Sequence, residues 1–491
     1  MNRRLLGCAF FLVVPLAAEA LPAFLGADGA GATSVGGRGG VICEVTNLNN
    51  SGTGSLRACI DMSGPRIVVF RVGGIIELAG GLAVKNPYIT IAGQTAPGGG
   101  ITISGRNSKN VVLSIRTHDV TMRYLRFRKG YNASTPYNDG DAANVTNVSA
   151  AVSNVIYDHC SMSWTQDENG EVWGDSLVNE QPKNVTYSWS IFAEPLIQHS
   201  KNFITGANSN KSDTMVNIDI HHSLFANSSE RSPLIKNKTF RFVNNIVYNW
   251  SRFATQLGGG VSADVIGNLY KAGPLNGTYS ATIAPKSSVY EIQVFTTPND
   301  STPLGQPSLY IVGNMGPYNP NPTNDNWAMV REISSENGSE LRPLSAQYRR
   351  SVPLPALTVP IMTHQVNQLE SVILPTVGAS QRLDCLANWV SVRDAVDGRI
   401  IQEYHTNRGI IPTTENDVGG FPAITSGTPC ADTDHDGMPD AWEDANGLNK
   451  NNPADGPLAG PDGYTNIERY LNGSKNQSLL SVPQNVRLIQ P

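Results

Sequence analysis

In residues 432–443, DTDHDGMPDAWE, carboxylates stand at alternate positions: Asp432, Asp434 and Asp436, followed by Gly437, Asp440 and Glu443. Hard oxygen ligands at positions one, three, five, nine and twelve of one continuous loop, with glycine at six for the sharp turn, are what Ca2+ requires. The module around them has little apolar core of its own, so the expected role of the ion is structural. Downstream, GPDGYTNIERYLNG is expected to form a helix, preceded by a less complete acidic loop around Asp462.

A second group of acids lies far upstream. YNDGDAANV carries Asp139 and Asp141, and WTQDENGEVW carries Asp167, Glu168 and Glu171. Carboxylates that converge repel one another unless a cation sits between them. On spacing alone, a solvated acidic surface remains open. Arg231, in IHHSLFANSSERSPLIKNK, stands between a polar turn and an apolar triplet, with Lys236 five residues on and Lys201 in HSK upstream. His159, His221 and His222 fall in apolar alternating patterns, where hydrogen-bonded structural histidines are expected. Glu194 and His199 flank the Lys201 segment and are candidates to line a cleft.

The elements that must position these residues repeat. ITIAG, VTMRYLRFRKG, NVIYDHCSMSW, NVTYSWSIFAE, VNIDIHHSLFAN, FRFVNNIVYNW, ADVIGNLYKAG and LYIVGNMGP each alternate apolar residues and end at Asn, Gly or Ser. This is the pattern of strand and turn. Units that cannot bury their own apolar face but can stack on copies of themselves form a solenoid. Short strands without helical periods between them select an all-β parallel β-helix. Asparagine tolerates left-handed turns, and its amide can bond its equivalent in the next coil. A Greek-key β-sandwich is the alternative, although loops of very unequal length suit a solenoid better. The repeat fills residues 21–320. Residues 321–428 read as an irregular tail packed along it, with helical spacing in QVNQLESVIL and SVRDAVDGRIIQEY, and 429–491 form the calcium-loop module.

Of the 491 residues, 40% are hydrophobic, enough for a large core, and a net charge of -5 provides no basic face for nucleic acid. Two arginines, an apolar run from Leu5 to Ala18 and the small-residue site Ala18-Glu19-Ala20 form a secretory signal over 1–20. The expectation is a secreted protein, monomeric and free of the membrane once the signal is removed. Without Cys8 five cysteines remain, an odd number. Cys43 with Cys59 brackets a local segment, Cys385 with Cys430 would tie the C-terminal regions, and Cys160 is the candidate free thiol; spacing leaves the connectivity open. Sequons at Asn132, Asn144, Asn184, Asn227, Asn249 and Asn276 would carry glycans in a eukaryotic pathway or arise by chance in an Asn-rich chain.

The order DGD, VIYDHCSMSW, Asp167 with Glu171, NVTYSWSIF, HSK, HHSLFANSSERSPLI and FVNNIVYNW resembles the pectate lyase family of right-handed parallel β-helices. GGRGGVICEVTNLNNSGTGSLRACI and PYITIAGQTAPGGGITI resemble its secreted members, so the likeness runs from about Gly36 to the end. The resemblance implies a catalytic Ca2+ held by Asp141, Asp167 and Glu171, with Asp139 as a further ligand. It implies that Arg231 abstracts a proton from polygalacturonate and that Lys201 and Lys236 bind substrate. Lys236 stands where arginine is usual, and the Asp-then-Glu order at 167 and 171 reverses a common one. The implied reaction is β-elimination giving 4,5-unsaturated oligogalacturonides. A pectin lyase acting on methyl-esterified polymer would dispense with the catalytic Ca2+, a polygalacturonase would need paired aspartates with GHG and RIK segments, and a non-catalytic β-helix would bind pectate without cleaving it.

Overall fold

The structure is a computed structural model that describes residues 21–135, 140–148, 150–175, 177–278, 290–333 and 341–473. The signal segment 1–20 and Asp139 lie outside the described residues.

Three long sheets run the length of a solenoid, with ten, ten and eight strands. Every pairing within them is parallel except the last of the second sheet, where Leu341–Pro343 closes antiparallel on Val330–Ile333. The parallel strand Val330–Ile333 lies beyond residue 320, so the solenoid extends past the end expected for it. In the first sheet, register aligns Val155, Val185, Ile218, Phe240, Ala263 and Leu309 coil on coil. All six side chains are fully buried. One coil advances 22 residues and another 46, because each extrudes its own loop without disturbing the stack.

The turns explain the asparagines. His159, Trp189, His222 and Asn244 have φ between 49° and 53°, a left-handed corner that redirects the chain once per coil. The residue after each corner bonds its successor. Ser190 Oγ accepts the Cys160 N–H, Ser223 Oγ that of Ser190, and Asn245 Oδ1 that of Ser223. Asn268, Asn314 and Asn326 continue the ladder through backbone N–H and side-chain amide bonds of 2.6–3.1 Å. Outside the corners His159 stacks between Tyr124 and Trp189, and Trp189 on His222. His221 and His222 are buried, their Nδ1 atoms 3.0 Å apart. These three histidines are thus structural, as their patterns indicate.

Helix α1 (Leu56–Asp61), capped by the Ser55 side chain and tied by the Cys43–Cys59 disulfide, covers the first coil. The tail supplies α2 (Leu369–Ile373) and α3 (Ala395–Thr406), which pack Leu369, Ile373, Val396, Ile400 and Tyr404 on the third sheet. Asp394 and Asp397 fix this helix through buried Arg128, at 3.0 and 2.8 Å. The second disulfide joins Cys385 and Cys430, and Cys160 is a buried free thiol. Among the described residues no helix is long and apolar enough to cross a membrane. The sequons at Asn144, Asn227 and Asn249 have buried side chains, with the Asn227 amide on Glu403 at 2.7 Å, so the folded chain has no room for glycans there.

Candidate active site

The upstream acids collect on the second sheet because consecutive coils are in register. Strands Ala143–Thr146, Glu168–Gly174, Lys201–Ala207 and Leu234–Ile235 are neighbours, with Asn144 opposite Glu171 and Glu168 opposite Lys201. Side chains at matched positions on parallel neighbours stand about 4.8 Å apart. A residue in one coil therefore meets one some 30 positions away.

Asp141 is 5% exposed and Asp167 8%. Asp141 Oδ1 accepts the Glu168 N–H at 3.1 Å, while the Asn144 amide reaches Asp141 Oδ2 at 3.3 Å and Glu171 Oε2 at 3.4 Å. His199 Nε2 lies 3.3 Å from Asp167 and 3.8 Å from Glu168. Burial, reinforced by the charge on Glu171 and then Glu168, pushes the Asp141 carboxyl well up. Burial and then Glu168 push Asp167 and Glu171 up as well. Glu168 moves the other way: burial opposes its ionisation, but the Arg231 guanidinium and then His199 hold it below the usual carboxylate range.

Arg231 has φ of 59°, a left-handed conformation, in the segment before the cis Ser232-Pro233 bond. The Phe203 N–H donates to its carbonyl at 2.8 Å, so the backbone is held independently of the side chain. The guanidinium pairs closely with Glu168 Oε1 and is 14% exposed. Lys201 Nζ lies 3.6 Å from Glu230 Oε1, and Glu230 also takes Arg252 at 2.9 Å. His199, Lys201, Glu230 and Arg252 line a cleft of about 680 Å³. Lys236 Nζ donates to Ser301 Oγ at 3.1 Å and lies 6.0 Å above the Trp173 ring.

Asp141, Asp167, Glu171, Arg231 and Lys201 thus share one face. Lys236 stands over Trp173, two positions from Glu171 on the same strand, and also bonds Ser301. Sequence reasoning gave no role to Glu168 or Glu230, which contact Arg231 and Lys201; of its two cleft-lining candidates His199 does line the cleft and reaches Asp167, whereas Glu194 is buried against Arg399 at 2.6 Å. The signal for Glu168 and Glu230 was their alignment with Lys201, one coil from each, and with Arg231 two coils beyond Glu168, which exists only once the register is known. Asp167, Glu168 and His199 each offer a ligand atom within 4.8 Å of the others, so these acidic groups can hold a metal ion. Hard carboxylate oxygens with a single guanidinium to offset them suit a divalent cation such as Ca2+.

The sequence pattern of the pectate lyase family matches residues 23–308. The chain belongs to the pectate lyase family. It is 32% identical over 475 residues to a probable pectate lyase C of Aspergillus fumigatus, covering 94% of this chain and 97% of that one. A probable pectate lyase C of Aspergillus terreus is 31% identical, covering 95% and 98%. A solved pectate lyase from Bacillus sp. N165, in complex with trigalacturonate, aligns with a TM-score of 0.47 and 15% identity over 72% of this chain and 98% of its own. The activity class is therefore that of a polysaccharide lyase.

Proposed function

We propose that the chain cleaves polygalacturonate by Ca2+-dependent β-elimination at the second-sheet cluster, as a secreted enzyme. The observation that carries this is the close pairing of Arg231 with Glu168 beside the buried Asp141 and Asp167, next to Lys201, which lines the cleft. Asp141, Asp167 and Glu171 would hold the ion. Bound there, Ca2+ would neutralise the C6 carboxylate of the uronate and acidify its C5 proton. Lys201 binds the developing negative charge at the same carboxylate, and exclusion of water strengthens that attraction. Arg231 takes the C5 proton, the C4–O bond breaks as the C4=C5 double bond forms, and the expelled glycosidic oxygen is protonated from water. Arginine is an awkward base with a pKa of roughly 12.5 or more. The Glu168 carboxylate favours the charged guanidinium, whereas positive charge from Lys201 and a divalent cation at the acids opposes it and favours release of a proton. The acidic cluster argues for demethylated substrate rather than methyl-esterified pectin. Export is supported by the two disulfides, which persist in oxidising compartments.

The test is polygalacturonate digestion followed by the ultraviolet absorbance of unsaturated ends, with and without a chelator. Chelation should abolish the absorbance and added Ca2+ restore it. New reducing ends that form without absorbance and persist under chelation would refute elimination and favour hydrolysis.

A further inference from the structure

The C-terminal loop contains more buried carboxylate than its own hydrogen bonds use. Its turn is wound inward by left-handed residues at His435 and Gly437, with φ of 62° and 86°. The Gly437 N–H donates to Asp432 Oδ2 at 3.1 Å and the Met438 N–H to Asp436 Oδ1 at 2.9 Å. The remaining oxygens face one another. Ligand atoms of Asp432, Asp434 and Asp436 lie within 4.8 Å, as do those of Asp436, Glu443 and Asp455. Oxygens around one Ca2+, at about 2.4 Å each, are separated by no more than about that distance. Asp432 Oδ1, both oxygens of Asp434, Asp436 Oδ2, both oxygens of Glu443 and Asp455 Oδ1 are buried without a hydrogen-bond partner. Glu443 is fully buried. A charged side chain withdrawn from water with no partner is costly enough to signal a ligand.

Two acids depart from the sequence expectation. Asp440 does not join either group, because its carboxylate accepts the Thr433 N–H and hydroxyl, both at 2.7 Å, at the start of helix α4 (Asp440–Asn446). Asp462 lies 3.5 Å from Arg469 and accepts the Tyr464 N–H at 3.2 Å, so the downstream acidic loop is a turn closed by its own partners. Asp455 arrives instead from beyond the twelve-residue loop. Its other oxygen accepts the Asn449 N–H at 3.1 Å, and the adjacent Gly456 lets the backbone approach closely, since a Cβ there would sit 2.8 Å from Asp436 Oδ2.

We propose that Asp432, Asp434, Asp436, Glu443 and Asp455 bind one Ca2+, and that this ion clasps residues 429–473 onto the start of the solenoid. The ligand set is all oxygen; His435, the nearest softer donor, turns to Glu44 at 3.0 Å. Clasping follows from what the loop touches. Arg71, next to the first-sheet strand Arg66–Phe70, reaches Asp432 at 3.4 Å and the Cys430 carbonyl at 2.6 Å. Met438 and Trp442 pack with Ile467, Tyr470 and Leu471 against Ile67, Val69 and Ala92. Without the ion, five crowded carboxylates repel across the segment that places Met438 and Trp442.

The test is native mass spectrometry of the intact chain, with thermal unfolding over a Ca2+ titration. Glu443→Gln and Asp455→Asn should each bind one Ca2+ fewer than the wild type and lose that ion's contribution to the unfolding midpoint, whatever binds at the catalytic cluster. Asp440→Asn should keep both. Should Glu443→Gln fail to fold, Asp434→Asn, at a partly exposed position, replaces it. An Asp455→Asn chain with the wild-type ion count and midpoint, or an Asp440→Asn chain that loses the ion, would overturn the assignment. Failure of polygalacturonate cleavage would leave this result untouched, so the two proposals fail separately.

Discussion

Replacing Arg231 by lysine separates the chemistry of the site from its folding. The backbone at 231 is held by the Phe203 N–H, and Ser232 donates to the Ala254 carbonyl at 2.8 Å, so neither anchor depends on the side chain. Lysine pays the same left-handed backbone cost as arginine, since both carry a Cβ. It also keeps a cation beside Glu168, whose side chain is only 4% exposed. The alanine variant does not, and an unpaired buried carboxylate costs about 3–5 kcal/mol, enough to confuse lost activity with lost fold. Arg231→Lys should therefore cost about 1 kcal/mol of stability, the centre of the range for point substitutions, because the buried carboxylate keeps a cationic partner. Loss of a positioned proton acceptor reduces rate by about 10²- to 10⁴-fold, equivalent to about 2.7–5.5 kcal/mol. Initial rates of unsaturated product at saturating Ca2+, taken with the unfolding midpoint, measure both quantities. A folded Arg231→Lys chain with a rate within about tenfold of the wild type would refute the assignment of Arg231 as base.

Two further outcomes test the frame. Asn268→Leu removes the acceptor of the Asn245 N–H and the donor to the Phe242 carbonyl, while Asn314 Oδ1 keeps the backbone N–H of residue 268, so denaturant unfolding should show a loss of about 1–3 kcal/mol; an unchanged midpoint would show that the ladder carries no stability. Burial opposes ionisation of Asp158, but His159 and Arg123, the latter at 3.1 Å, hold its carboxyl below the ordinary range. A depressed carboxylate stabilises the fold above its unfolded pKa of about 3.9, and that contribution fades as pH falls through and below this value. Asp158→Asn should flatten the acid limb of a stability profile, and parallel limbs for variant and wild type would contradict the pairing.

Much of the frame was legible because it is written locally. Alternating apolar strands, asparagines at the turns and the odd cysteine all act within one coil or its immediate copy, and Cys160 is indeed the thiol left over. A family's order of segments pointed to Asp141, Asp167 and Glu171 as candidate ligands. Nothing pointed to Glu168, since its partner Arg231 is 63 residues away and only the parallel register brings the two together. Lys236 shows the same limit: sequence placed a cation five residues after Arg231, and only the fold shows that its ammonium meets Ser301 and the Trp173 ring.

The sequence by itself determined the repeating strand and turn, the family and the residue types from which a cation site is made, because each of these is encoded over a few neighbouring positions. Only the tertiary structure decided which carboxylates meet. Asp455 joins Asp436 and Glu443 while Asp440 turns to Thr433, and Glu168 faces Arg231, because coil register and chain return set distances between residues whose separation along the chain carries no such information.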